Sequence, residues 1–583
     1  MAPTRLSQRW LFALGALLLW PRGAGAQDQE RPVLPDYLTA SIDDSIERGK
    51  NYLRRTQTNT GTWATTKSHV VGYAALPALT LLECGVPPGD PGIQRAATFV
   101  RLSVPSKELT STYEVSLALL FLDRLGNPKD KPYIETLAGR LIASQTPTGG
   151  WGYETQYLSA IDTAEIIKYV RQLEPLPLNH LLSGRVISMY NPFVKNEPVP
   201  GTDLVPKRTV KLPARFLLLP CFTQFGTFPL VDPTAENSAK LAPFLKHTDN
   251  STTQFALLAL WAARRHNIPC TRTGALTFMR FHTGQNSDGS WGYEYKLGGA
   301  AGTATMINTG LLGMAVGHGI VKEMKLNDDP PVDSDPRILN GFKALYAHVG
   351  TPKDRIKNVD YPNMYFLWGL ERVCMLYNVH TVGDRDWYHW AAEALVANQD
   401  PEGFWHKKDP KGNEIYPGAS PTLDTSFALM VLKRANLAQD LSTYLTFSPK
   451  KMNDGIVNLM PQLAIAKPSP KPEPPKVTQA PPEIKPAPAP PPQPKPQPPI
   501  QVAEVKTPQQ PVISPPITPP TQTAAPASSG GSTWWIWLLI GLGTVMILGG
   551  AVFIVLMNAG GGEEDGEEGE RRPKKKKFKK ARR

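Results

Sequence analysis

An all-α fold, an α/α toroid of alternating inner and outer helices followed by a Pro-rich stalk and one C-terminal transmembrane helix, is predicted by three features of the sequence. A Gln-x3-Gly-x-Trp skeleton occurs four times: Gln57, Gly61 and Trp63; Gln145, Gly149 and Trp151; Gln285, Gly289 and Trp291; and Gln399, Gly403 and Trp405. Segments of helical periodicity alternate between an amphipathic kind and a more apolar kind. Composition changes sharply after about Ala466, so the last part of the 583 residues cannot join the core.

The amphipathic segments 40–56, 130–144, 269–283 and 385–398 each run into one of the Gln motifs. The apolar segments are 69–84, 111–124, 160–171, 251–264, 303–317, 363–377 and 422–434, and further amphipathic stretches at 92–103 and 334–348 fill gaps between them. A helix apolar around most of its circumference must be buried on several sides. The apolar set is therefore expected as the inner ring and the amphipathic set as the outer one. Successive motif Gln residues are 88, 140 and 114 residues apart, at least about two helix pairs each, so units without the motif alternate with units that have it. The longest gap holds an irregular, Pro-containing stretch at about 175–246, including NEPVPGTDLVPK, which reads as an insertion.

Each motif follows an amphipathic helix directly, with a Gly for a tight turn and a Trp shortly before the next apolar helix. A Gln side chain can satisfy backbone groups left free at helix ends, and an indole can cover the joint while its N–H bonds across it. The motif is expected to clamp one helix layer to the other.

The ends of the chain point to a membrane. Arg5 and Arg9, the apolar run at 11–20 and Ala-Gly-Ala at 24–26 read as a secretory signal peptide over 1–26. An extracytoplasmic domain would then occupy 27–466. Residues 467–533 form a Pro-rich linker, and its 467–528 part reads as a polyproline spacer reaching up to about 200 Å when fully extended. Residues 534–557 are a charge-free apolar run of 24, enough for one bilayer span at about 20 residues. The tail 558–583 carries six acids in 563–570 and ten Lys or Arg in 571–583, placing it in the cytoplasm by the positive-inside bias.

The formal charge of +12 is partly this tail and otherwise scattered, and with the topology it argues against a nucleic-acid partner. Four cysteines, Cys84, Cys221, Cys270 and Cys374, are few, and most have apolar neighbours, so buried free thiols are expected rather than disulfides. No Cys or His pair has zinc-ligand spacing and the ten histidines are scattered, so neither a metal nor a cofactor is expected.

The stretch RGKNYLRRTQTNTGTW at 48–63 matches, at every specified position, the extended repeat of triterpene cyclases of the squalene–hopene type, and the other three copies keep its Gln-x3-Gly-x-Trp part. The chain thus resembles that family over about 37–437. The resemblance implies the toroid shared by terpene cyclases, protein prenyltransferase β subunits and complement-type thioester domains. It does not bring their chemistry with it. The protonating Asp-x-Asp-Asp motif of the cyclases is absent, since SIDDS, NDDP and DSDP do not match it. A zinc-binding Asp-Gly-Cys segment is missing too, and ECGV at Cys84 lacks the Gln of a thioester motif.

Candidates for a central cavity are the starts of the apolar helices: Tyr113, Asp162, Asp249, Asn250, Gln254, Asn308 and Thr425, with Glu114 and Asp424 as acid/base candidates. For Asp162, Asp249 and Asp424 the alternative is an N-cap; the functional reading is a buried carboxylic acid of raised pKa. Tyr153, Tyr293, Trp368, Trp405 and Phe427 either line a pocket for an apolar or isoprenoid ligand or pack around the joints. The expectation is a membrane-anchored, non-catalytic scaffold binding a ligand, or a protein partner through the toroid or the stalk. The alternative is a diverged enzyme, cyclase-like or a polysaccharide lyase, using acids in the cavity.

Overall fold

A computed structural model describes residues 32–172, 181–182, 213, 216, 248–296, 299–326, 330–445 and 448–459. The signal peptide, nearly all of the insertion at 175–246, the linker, the transmembrane segment and the tail lie outside the described residues. The described chain is all-α apart from a two-residue hairpin, β1 (Thr381–Val382) and β2 (Arg385–Asp386). Its helices are α1 (Asp36–Thr56), α2 (Gly72–Glu83), α3 (Pro91–Ser103), α4 (Thr112–Leu125), α5 (Lys131–Ser144), α6 (Ala160–Gln172), α7 (Asn250–Ala263) and α8 (Thr271–Thr283). They continue with α9 (Ala304–Glu323), α10 (Pro336–Tyr346), α11 (Met364–Leu376), α12 (Trp387–Ala397), α13 (Pro421–Lys433), α14 (Gln439–Tyr444) and α15 (Pro449–Leu459).

Local chemistry sets the starts. Asp90, Asn363, Asp386 and Ser420 each accept hydrogen bonds from amides in the first turns of α3, α11, α12 and α13. Pro91, Pro336 and Pro421 occupy first helical positions, where the missing N–H costs nothing. At the other end of α4, Gly126 takes a left-handed φ of 70° and stops the helix.

The apolar helices pack in a closed cycle: α2 on α4, α4 on α7, α7 on α9, α9 on α11, α11 on α13, and α13 back on α2. Every residue of α7 is buried, the polar first turns Asn250–Gln254 as well as the apolar remainder, whose uniform apolarity requires it. α9 is long and apolar enough to cross a membrane by composition, but it lies buried among α7, α8, α10 and α11. The amphipathic helices α3, α5, α8, α10 and α12 pack against this cycle, and α1 packs on α13 and α12. One placement differs from expectation. The helix at 160–171, read as a member of the inner set, is α6, which packs chiefly on α5; its alternating exposed positions, with Ile161 77% exposed, give it a single buried stripe. The two C-terminal helices, α14 and α15, and the hairpin were not expected.

The four motifs share one geometry. In each, the Gln amide nitrogen donates to the carbonyl of its own motif Gly and to a carbonyl on another amphipathic helix. Gln57 reaches Gly92 of α3 at 2.9 Å, Gln145 reaches Thr273 of α8 at 2.9 Å, Gln285 reaches Arg337 of α10 at 2.8 Å, and Gln399 reaches Ser45 of α1 at 2.9 Å. The fourth motif therefore ties the end of α12 back to α1, across 354 residues of sequence. Each indole donates to the carbonyl ten residues before it, those of Leu53, Leu141, Phe281 and Leu395. The clamp thus differs from expectation in direction: Gln joins neighbouring amphipathic helices, and the indole N–H bonds to its own preceding helix. The motif glycines all have positive φ and lie hard against the next helix, as at Gly289, where an added Cβ would stand 2.1 Å from the Asn340 carbonyl oxygen.

Candidate binding site at the starts of the apolar helices

Helical spacing aligns polar and aromatic side chains near the starts of four helices of the cycle. On α7, Gln254 and Phe255 lie three and four residues after Ser251; Tyr365, Trp368 and Arg372 on α11, and Asp424 and Phe427 on α13, stand three, four or seven residues apart, so each set lies toward one side of its helix. Tyr113 of α4 joins them. The rings touch in a continuous cluster. Trp368 stacks on Phe427 at 4.8 Å between centroids, Phe255 lies 5.2 Å from Trp368, Tyr113 meets Phe255 edge-on at 5.0 Å, and Tyr365 lies 5.8 Å from Tyr416.

A chain of hydrogen bonds runs along this cluster. Tyr113 donates to the Ser251 hydroxyl at 2.8 Å, Ser251 and Tyr365 share a hydroxyl contact of 2.6 Å, the Gln254 amide donates to Tyr365, and Arg372 donates to the Gln254 oxygen. Arg372 also stacks on Trp368 at 4.2 Å. Burial pulls the Arg372 pKa down to about 10 and pushes the Tyr365 phenol up to about 12, so both keep their ordinary protonation near neutrality.

Asp424 anchors a second network. Its carboxylate accepts from Tyr416, from Tyr361 at 3.5 Å and faces His406 Nδ1 at 2.8 Å, while His406 Nε2 lies 3.4 Å from Glu414. Burial raises the Asp424 pKa, and the bonds from Tyr416 and His406 oppose that rise. At an exposed edge, the hydroxyls of Tyr153 and Tyr293 meet at 2.6 Å, with 55% and 40% of each residue open to solvent.

The predicted residues separate into those in these networks and those with fold duties. Tyr113, Gln254 and Asp424 belong to the networks. Glu114 does not: it accepts from the backbone amides of Val71 at 2.9 Å and Gly72 at 3.2 Å, capping α2. Among the described residues, no hydrogen bond or ion pair joins Glu114 to Asp424. The N-cap alternative holds at Asp249, which accepts from Thr252 at 2.6 Å, and not at Asp424, where Ser420 is the cap. Asp162 bonds with Ser159 at 2.7 Å on α6, outside the cycle. Asn250 bridges Gly292 and Arg280, Asn308 donates to the Phe366 carbonyl, and the Thr425 hydroxyl accepts from Trp405, all joining backbone or neighbouring helices.

Among the aromatic candidates, Trp405 packs a joint, Trp368 and Phe427 lie in the cluster, and Tyr153 and Tyr293 stand at its edge. Tyr361, Tyr365, His406, Glu414, Tyr416 and Arg372 were not anticipated. Tyr365 and Arg372 interrupt an apolar helix seven residues apart, a signal the sequence did hold; the others lie on loops whose path it does not specify. No family model matches the chain, and no curated protein matches it.

Proposed function

We propose that this chain is a membrane-anchored, non-catalytic binding scaffold whose helical domain, an α/α toroid, stands outside the cytoplasm. In this reading 1–26 direct secretion, 467–533 form the stalk, 534–557 cross the bilayer once and 558–583 remain inside. The toroid reading is supported by the closed cycle of helix contacts and by the Gln399 bond that returns the last motif to α1.

One observation carries the non-catalytic reading. The space between the helix starts is occupied by rings in mutual contact, and Tyr113, Ser251, Tyr365, Gln254 and Arg372 Nη2 form one hydrogen-bonded chain among them, while Trp368 Nε1 and Arg372 Nε and Nη1 stay without a hydrogen-bond partner among the described residues. A cyclase needs an apolar chamber with an acid facing the substrate; here Glu114 caps a helix and Asp424 already receives Tyr416, Tyr361 and His406. Binding is therefore assigned to the outer edge, where exposed tyrosines offer flat apolar faces and hydroxyls together.

The test is mass spectrometry of small molecules and proteins retained by the purified full-length chain, beside a Tyr153→Ala, Tyr293→Ala double variant. A molecule retained by wild type and lost from the double variant supports the scaffold. An Asp424→Asn variant addresses the enzyme reading, which the buried, histidine-linked carboxyl of raised pKa favours. A bound molecule chemically altered by wild type and unaltered with Asp424→Asn would replace binding with catalysis.

A further inference from the structure

A second cluster of ionisable groups shares no residue with the tyrosine network. His389 and Glu393 stand four residues apart on α12, so their side chains project from one face. The loop following α10 crosses that face and brings Asp354 to it. His389 Nε2 lies 3.3 Å from Glu393 Oε1 and 3.8 Å from Asp354 Oδ1. One ligand atom from each residue falls within 4.8 Å of the other two.

Hydrogen bonding does not account for this arrangement. His389 Nε2 is buried and forms no hydrogen bond, although it faces two carboxylates. As an acceptor, its lone pair would meet anionic oxygens; as a donor, it lacks an aligned partner. A cation between the three atoms resolves both conflicts.

Glu393 is already oriented for such a role. It is 1% exposed; its Oε2 accepts the Lys353 amide at 2.7 Å, and its Oε1 accepts the Arg355 amide at 3.0 Å and, at a longer 3.4 Å, the Tyr37 hydroxyl, which a cation at Oε1 would displace. Those amides flank Asp354, itself held at a left-handed φ of 52°, so the bonds that fix Glu393 also fix the loop carrying the third group. Metal bonds of about 2.0–2.2 Å in tetrahedral geometry place ligand atoms about 3.3–3.6 Å apart. The His389 to Glu393 separation of 3.3 Å meets that spacing, and the exposed Asp354 side chain closes its 3.8 Å by a small rotation.

We propose that Asp354, His389 and Glu393 form a binding site for a divalent transition-metal cation, zinc above all, that fastens the loop around Asp354 to α12. One imidazole and two carboxylates balance a +2 charge and leave a fourth position toward solvent on the Asp354 side. The expectation of no metal rested on ligand spacing along the chain. It misses a set drawn from a loop and a helix 35 residues apart.

The experiment is calorimetric titration of zinc chloride into the full-length chain, purified without a polyhistidine tag and stripped with chelator. The acidic residues 563–570 stay in every arm, so weak binding there cancels. Wild type is expected to show one saturable site, and its melting temperature to rise with zinc. Asp354→Asn and His389→Gln are each expected to weaken that site by more than about 100-fold, beyond the roughly 10–100-fold loss typical of residues that merely orient a ligand. Asp354 is exposed, so its substitution leaves the fold intact and keeps the test decisive. No saturable zinc site in wild type, or one of unchanged affinity in Asp354→Asn, overturns the proposal.

Discussion

Replacing Gln145 with Met tests whether the four motifs hold the domain together. The two side chains are of similar length, so the change removes hydrogen bonding with little change of volume. Gln145 is 3% exposed, and its amide nitrogen has three acceptors in reach: the Gly149 carbonyl at 3.2 Å, the Thr273 carbonyl at 2.9 Å and the Thr277 hydroxyl at 3.0 Å. Two N–H groups satisfy two of these at a time, and each bond contributes about 1 kcal/mol net. The expected loss is about 2 kcal/mol. With an unfolding entropy of about 2.1 cal/mol/K per residue over the roughly 350 described residues, this lowers the melting temperature by about 3 °C. The same change at the half-buried Gln57 should cost about half as much, because water can replace part of the loss. Differential scanning calorimetry of the full-length variants reads both shifts, and hydrogen exchange should show earlier opening where α5 meets α8. A melting temperature unchanged within about 1 °C for Gln145→Met would refute the view that the glutamines bind the helices to one another.

Three further outcomes follow. Gly289→Ala places a methyl 2.1 Å from the Asn340 carbonyl oxygen at a φ of 89°, and combined strain and overpacking should cost about 3 kcal/mol or more, read as a lower melting temperature or loss of soluble protein. Glu371 is fully buried with both oxygens lacking a hydrogen bond, and burial raises its pKa well above 4.5; the folded state then binds the extra proton, so this carboxyl's contribution to stability is fullest below about pH 4.5 and is lost as pH rises toward its folded pKa. Denaturant titrations across that range should show a shallower decline for Glu371→Gln. Cys84 and Cys270, whose thiols burial pushes up to about 12, and the buried Cys374 should resist iodoacetamide in the native protein and react after denaturation, as mass spectrometry would show.

The sequence by itself determined the all-α class, most helix limits within a few residues, which helices other than α6 are buried on several sides, and the place of the four joints. These follow from local rules: periodicity assigns a helix to a layer, and Gly and Trp at fixed spacing mark a turn that needs positive φ and a covered end. It also anticipated buried, unpaired thiols at Cys84, Cys270 and Cys374; Cys221 lies outside the described residues. Tertiary structure alone decided which polar residues meet. Glu114 is as near the start of its helix as Asp424 is, yet one meets the amides of α2 and the other meets Tyr361, His406 and Tyr416 from loops before its own helix. It also placed α6 against α5, turned the motif glutamines toward the next amphipathic helix, and set Asp354 beside His389 and Glu393. Each of these depends on how separate segments cross, and the cyclic packing of the helices fixes those crossings, whereas a linear pattern records only which face of one segment is apolar.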